Sequence, residues 1–343
     1  PLWHASIARI IFGFFILAFS TVYSGWLRDT PDGFYNPPYY SLGRLFSGFA
    51  PDLVISIFDI LIVISLVCIV LGIRARIACF LFAILFVALS LFNYSVGKIG
   101  HPIMVPIAAI CLGFSNGGIC NALLPDKKWP FHVQSFAILG IVLSFAMFTA
   151  GFIKLLSWID FDLSTNGFLS WFYHGYFSLG RQGLFADIVF SFPPILSEIM
   201  DYSAVLFELT PFICLLIGPR SWRFWLTMAC FFHLINTLLL NIPFTAHFAI
   251  YPIFFIYPLF QEHKLNTRRA FKIAIKIIFV LAILMGLTRI IFRMQSAGSY
   301  FLFVKIHPSQ SDIVLWASCL IWGLLALLGM CNLIAWFRTS DDQ

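Results

Sequence analysis

Phe148-Thr149-Ala150-Gly151-Phe152-Ile153-Lys154-Leu155 closes an apolar run that begins at Gln134 and ends at Leu156. The run has the length of a membrane-crossing helix, about 20 apolar residues, yet it carries an ammonium close to its end. A lysine at the centre of such a helix costs roughly 2.5–3.5 kcal/mol on insertion scales, so it persists where it has a partner, a polar cavity or a task. The apolar pattern recurs along the whole chain. Of 343 residues, 61% are hydrophobic and 10% charged, and the mean hydropathy is +0.94. That balance excludes a soluble globule and indicates an integral membrane protein.

Apolar stretches bounded by Pro, Gly, Arg or Lys occupy residues 2–24, 53–73, 77–96, 102–119, 134–156, 200–218, 223–241, 244–260, 271–292 and 312–337. They predict an all-α fold, a polytopic transmembrane helical bundle of about 8–10 spans, with residues 1–343 forming one domain. The fourth stretch is short and holds Pro102 and Pro106, and the eighth follows Pro243, which predicts re-entrant or broken elements at both places. The first stretch lacks the basic start and small-residue cleavage site of a signal peptide, and Arg9 interrupts it early; it reads as a span.

Arg74/Arg76, Lys127/Lys128, Arg220/Arg223 and Lys264/Arg268/Arg269/Lys272 all follow even-numbered stretches. By the positive-inside rule these loops, and both termini, are expected on the cytoplasmic side. The two long connections, 25–52 and 157–199, then face outward or into the periplasm or lumen. The net charge of +6 is thus a topology signal and not the footprint of a nucleic-acid partner, since no basic patch is interleaved with exposed aromatics.

All eight cysteines lie within or at the ends of apolar stretches and form no Cys-x-x-Cys, which reads as core packing. Within the second long connection, Phe168-Leu169-Ser170-Trp171-Phe172-Tyr173-His174-Gly175-Tyr176-Phe177 is too aromatic for a solvated loop and too short to span. An interfacial helical segment is expected there, either roofing a cavity or serving as an anchor.

Lys154, His233, His247, His101, Glu208 and Asp59 come from six different stretches. Counted at 1.5 Å per residue, Lys154 lies about 30 Å along its span and His233 roughly 15 Å beyond Arg223. Asn236 and Thr237 stand one turn beyond His233 on the same face. All six ionisable groups fall in the outer half of the membrane, where they would line a polar cavity. Each also has a plainer reading: Lys154 can snorkel to headgroups, Glu208 and Asp59 can fix helices as ion-pair partners, and the histidines can be structural or interfacial. Arg9 and Arg289 are expected to neutralise carboxylates or hold lipid phosphate. The three histidines share no helix, so no metal site is predicted.

Ala150-Gly151-Phe152-Ile153-Lys154-Leu155 followed by Trp158 resembles the Ala-Gly-x-Lys-Lys-Leu…Trp stretch of the vitamin-K-dependent gamma-glutamyl carboxylases, with Lys154 in the place of the catalytic lysine. Phe232-His233-Leu234-Ile235-Asn236 resembles that family's Phe-His-x-x-Asn segment, and Glu208 with Arg220 is similar to the pair flanking its preceding span. Leu71-Gly72-Ile73-Arg74-Ala75-Arg76 is similar to a turn of the wider HTTM (horizontally transferred transmembrane) group, and His101 corresponds to the histidine of an Asn-His pair there, with Gly100 in place of Asn. The family's doubled lysine is Ile153-Lys154 here, and its large substrate-gripping lumenal region has no counterpart in the resemblance.

The resemblance implies a carboxylase-like core over about 1–260, with additional spans in 261–343. It implies oxidation of reduced vitamin K or menaquinol by O2, coupled to removal of a carbon-bound proton and capture of CO2 on a peptide or small substrate. Lys154 would be the base and His233 and His101 further catalytic groups. Asn236, His247, Glu208 and Trp158 would line the quinone or substrate site. Two other readings stand beside it: a non-catalytic accessory protein for maturation, export or immunity of small peptides, and a transporter or lipid-handling protein.

Overall fold

The computed structural model describes residues 2–19, 24–96, 101–128, 135–160, 162–259, 269–295, 299–302, 304–306 and 311–340. Apolar chain in a membrane must satisfy its N–H and C=O groups internally, and the described residues are overwhelmingly helical. The helices are α1 (Leu2–Phe19), α2 (Asp52–Leu71), α3 (Ala75–Asn93), α4 (Met104–Phe114), α5 (Ser135–Trp158), α6 (Gly167–Tyr173), α7 (Ala186–Phe190), α8 (Pro194–Leu209), α9 (Pro211–Ile217), α10 (Pro219–Leu240), α11 (Tyr251–Leu259), α12 (Arg269–Gln295) and α13 (Ser311–Ser340). Among them α1, α2, α3, α5, α10, α12 and α13 are long and apolar enough to cross a membrane. The pair α8 and α9, bent by 43°, makes up to an eighth.

At the fourth and eighth expected spans the described helices are short. The 3-10 turn His101–Ile103 leads into the 11-residue α4, and the 3-10 turn Thr245–Ala249 precedes the nine-residue α11. The sixth starts earlier than expected, at Pro194, and breaks at Thr210. Pro211 has no N–H with which to continue the ladder of α8, and the Thr210 hydroxyl donates back to the Phe207 carbonyl at 2.9 Å. Between α12 and α13 the strands Ser299–Phe301 and Val304–Ile306 pair antiparallel, a small exception to the all-α expectation.

The chain divides into two compact units, Pro1–Phe136 with Thr245–Ser311, and Ala137–Phe244 with Asp312–Gln343. In the first, α2 turns into α3 through Gly72, whose left-handed backbone (φ 70°) caps α2 by donating to Cys68 and Ile69 carbonyls. A Cβ there would meet the Ala122 Cα at 2.6 Å, so the turn needs glycine on both counts. Ile73 bridges to Leu124. The Arg76 backbone N–H donates to Asp126 at 2.9 Å and its guanidinium to the Lys127 carbonyl at 2.9 Å. The start of α1 comes to the same end, with the Ser6 hydroxyl on the Cys120 carbonyl at 2.8 Å. At the other end of α3, Asn93 donates to Ser24 at 2.7 Å and Asn36 bridges to Val96. Short α4 therefore returns the chain to the Arg74–Arg76 end.

The two buried arginines of this unit donate to backbone carbonyls. Arg9, 1% exposed, donates to the carbonyls of Val70 (2.8 Å), Asn121 (2.7 Å), Gly117 (3.0 Å) and Ile69. Arg289, fully buried, donates to those of Leu17 (2.7 Å), Ala18 (3.1 Å) and Leu302 (3.0 Å). Helix ends leave carbonyls without intrahelical donors, and a guanidinium with five N–H groups serves several at once. Carbonyl capping is the role seen for both residues.

In the second unit, α10 starts at Pro219 and ends in the left-handed Asn241 (φ 51°). Trp322 of α13 is fully buried and donates to the Pro243 carbonyl at 2.8 Å. The aromatic segment 168–177 does form helix, α6 running into a π-helical turn, His174–Ser178. Phe168 and Phe172 bury themselves with Ala186 and Val189 of α7 against Leu239 and Leu240 at the end of α10.

Candidate functional site

The site is assembled in the second unit from α5, α6, α8 and α10. Helix α5 reaches α8 through Gly151, where an added Cβ would lie 2.7 Å from the Glu208 Cβ. Small residues permit this kind of approach between helices in lipid. Three residues further on, Lys154 Nζ donates to Glu208 Oε1 at 2.5 Å. The two side chains are 23% and 6% exposed, so the carboxylate is the more deeply buried partner. Glu208 Oε2 is buried and has no hydrogen-bond partner among the described residues. Trp158, one turn beyond Lys154, places its ring 5.0 Å from Nζ, within reach of a cation–π contact.

Trp158 is in turn held by α6. A Cβ on Gly167 would meet the indole at 2.3–2.4 Å, so the first residue of α6 must be bare to rest on the ring. Asp201, seven residues before Glu208 on α8, fixes that helix start by accepting from the Gly167 N–H at 2.8 Å and the Phe168 N–H at 2.7 Å. Asn166 adds a side-chain cap on the Leu169 N–H at 2.8 Å. In the exposed turn before it, the Asp160 carboxylate lies below the usual carboxylate range. The Thr165 hydroxyl is the larger cause and the Asp162 N–H the next.

On its other side, α8 is seated on α10 by aromatic rings. Phe207 stacks on Trp225 (centroids 5.1 Å, planes 4° apart) and meets Phe232 at 4.7 Å, while the Trp225 indole N–H donates to the Phe207 carbonyl at 3.2 Å. Glu208 directly follows Phe207, and His233 directly follows Phe232. His233 is 1% exposed, with the Phe244 ring at 4.5 Å and the Trp322 ring at 4.7 Å. The Thr237 hydroxyl donates to the His233 carbonyl at 2.7 Å. Asn236 is half-buried, and its carbonyl accepts from the Ile242 N–H at 3.4 Å as α10 ends.

The structure thus brings Lys154, Glu208 and Trp158 into direct contact and places His233 and Asn236 on the adjoining helix. His247 and His101 belong to the other unit. His247 is buried there, its ring 5.4 Å from Tyr251; His101 opens the turn before α4, its side chain outside the described residues. Asp59, also in that unit, is buried, with the Ser24 N–H 3.4 Å from its carboxylate. Among the described residues no group of three His, Cys, Asp or Glu side chains is placed to hold a metal.

Sequence reasoning missed Asp201, Gly167 and the Phe207–Trp225–Phe232 seam. The signal for the first two was present: a carboxylate on an apolar helix, and Asn166-Gly167 opening an aromatic run as a capped helix does. Comparison of the chain with family models, with curated proteins and with solved structures finds no match.

Proposed function

We propose that this chain is a multi-pass integral membrane protein that moves a proton at Lys154, in a reaction of the quinol-linked carboxylation type that its motifs resemble. The observation that carries the reading is the Lys154–Glu208 contact, with Glu208 Oε2 buried and unused. Passing a proton from Lys154 to Glu208 turns an ion pair into a neutral pair, which apolar surroundings tolerate better. The amine so produced is the base, and Glu208 keeps the proton beside it. Trp158 lies against the ammonium form.

A quinol suits the second unit by the chemistry of its side chains. His233 offers an imidazole, Phe232, Phe244 and Trp322 offer flat apolar faces, and Asn236 a carboxamide. When bound, the quinol would supply reducing equivalents to O2. His233 and Asn236 are the residues of this unit assigned to hold it or the substrate, a peptide or small carbon acid that receives CO2. The grouping of Arg74, Arg76 and Lys127 at one end of the first unit supports a cytoplasmic placement of that end and of the N-terminus.

A second reading, a non-catalytic accessory protein, is favoured by the packing of His233, whose ring is enclosed by the protein's own aromatics. The experiment that separates the two is O2-dependent formation of quinone epoxide from reduced vitamin K or menaquinol, by the protein in lipid, comparing wild type with Lys154→Ala and His233→Ala. Epoxide made by wild type and lost in Lys154→Ala supports the carboxylase-like reading. A folded wild type inert toward both quinols supports the accessory one.

A further inference from the structure

Helix α8 carries three carboxylates, and they meet three different fates. Glu208 pairs with Lys154 and Asp201 caps α6. Glu198 is 6% exposed, and neither of its carboxylate oxygens has a hydrogen-bond partner among the described residues. A buried carboxylate requires a proton, a countercharge or N–H donors, and nothing already assigned to the site supplies one.

Glu198 also lines a groove of about 360 Å³ whose other walls are Leu163, Ile195, Ile199, Tyr202 and Ser203. That volume lies in the range of small-molecule sites, which combine apolar walls with a few placed polar groups. Ile195, Glu198, Ile199, Tyr202 and Ser203 recur at helical spacing and so share one face of α8. Leu163 comes from the turn before α6, whose shape is set by Asp160 and Asp162 accepting from Thr165 and Ser164. The walls are exposed: Ile195 56%, Ile199 51% and Leu163 52%. The groove therefore presents hydrocarbon at its rim and an acid in its wall.

We propose that this groove binds a small hydrophobic amine in its protonated form, the ammonium meeting Glu198 and the hydrocarbon lying along Ile195, Ile199 and Leu163. An ammonium brings both missing elements, opposite charge and up to three N–H donors. A neutral ligand brings no charge. A metal ion lacks a ligand set, since the Asp201 oxygens are already engaged by backbone amides and a single carboxylate does not make a site. The assignment goes beyond the Lys154 reading and does not depend on it.

The test uses the full chain in lipid nanodiscs with 4-phenylbutylamine as probe and the near-isosteric 4-phenylbutan-1-ol as its neutral counterpart, each by saturable, competable binding. Wild type is expected to prefer the amine by about tenfold or more, the scale of a charge-assisted hydrogen bond. Glu198→Gln, which keeps the shape and removes the charge, is expected to erase that preference. Ile199→Trp, which fills the groove and leaves the carboxylate in place, is expected to abolish saturable binding of both probes. Equal affinities in wild type, an amine preference that survives Glu198→Gln, binding that survives Ile199→Trp in a folded protein, or no saturable amine binding by folded wild type would each overturn the proposal.

Discussion

Gly151 lies directly against Glu208, so closely that a Cβ on the glycine would stand 2.7 Å from the Glu208 Cβ and 3.0 Å from its carbonyl carbon. The approach of α5 to α8 is set there, and Lys154, three residues on, inherits it. Gly151→Val should force the helices apart at that point, at a cost of about 1–3 kcal/mol for overpacking. Thermal unfolding in detergent measures the loss. The coupling between Lys154 and Glu208, taken from a double-mutant cycle, should fall toward zero when the cycle is repeated on top of Gly151→Val; undiminished coupling would mean that the pair forms without the glycine contact.

The ion pair should respond asymmetrically to losing each partner. Lys154 is 23% exposed and can turn outward on its flexible stem, whereas Glu208 is 6% exposed and cannot. Lys154→Met should therefore cost about 3–5 kcal/mol, the scale of a buried charge left without its partner. Glu208→Gln should cost about 1 kcal/mol or less, near the value of an exposed pair. The double variant should recover most of what Lys154→Met loses. Equal costs for the two single variants would contradict the burial difference on which the argument rests.

Much of this arrangement was legible in the chain, and the limits have physical causes. Hydropathy located α2 and α5 to within two residues of the expected ends, because a run such as 134–156 has no other way to satisfy its backbone in lipid. It missed the first turns of α8, because Ser197, Glu198 and Asp201 lower the local average while the residues between them stay apolar. Lys154 and Glu208 each stood out as charged groups on apolar helices. Their contact did not, since it depends on helix rotation and on the bare Cα of Gly151, neither of which periodicity encodes. His101 and His247 were grouped with Lys154 by depth along their spans, and the two fall in a different unit.

Asp201 should matter more to the α6 segment than to the protein as a whole. Its carboxylate takes the first two N–H groups of α6, at 2.8 and 2.7 Å, and a charged acceptor at a helix start strengthens such bonds. Asp201→Asn keeps the shape and one good acceptor, so a loss of about 1 kcal/mol, the scale of a lost cap, is expected. Hydrogen exchange should quicken at residues 167–173 with little change in α10. Uniform quickening of both helices would show that α6 does not open as a local unit.

Arg9 offers the sharpest distinction between charge and geometry. Its guanidinium satisfies carbonyls at the end of α2, Ile69 and Val70, together with Gly117 and Asn121. Lysine has the charge but a single nitrogen with three donors, and it cannot span carbonyls on both sides as a planar fork does. Arg9→Lys should strand at least one buried carbonyl, at about 1–3 kcal/mol. Exchange should rise at the amides around Gly72 and residues 117–121, whose positions depend on those carbonyls staying together. If Arg9→Lys unfolds with the same midpoint as wild type, charge alone accounts for the residue and the fork geometry contributes nothing.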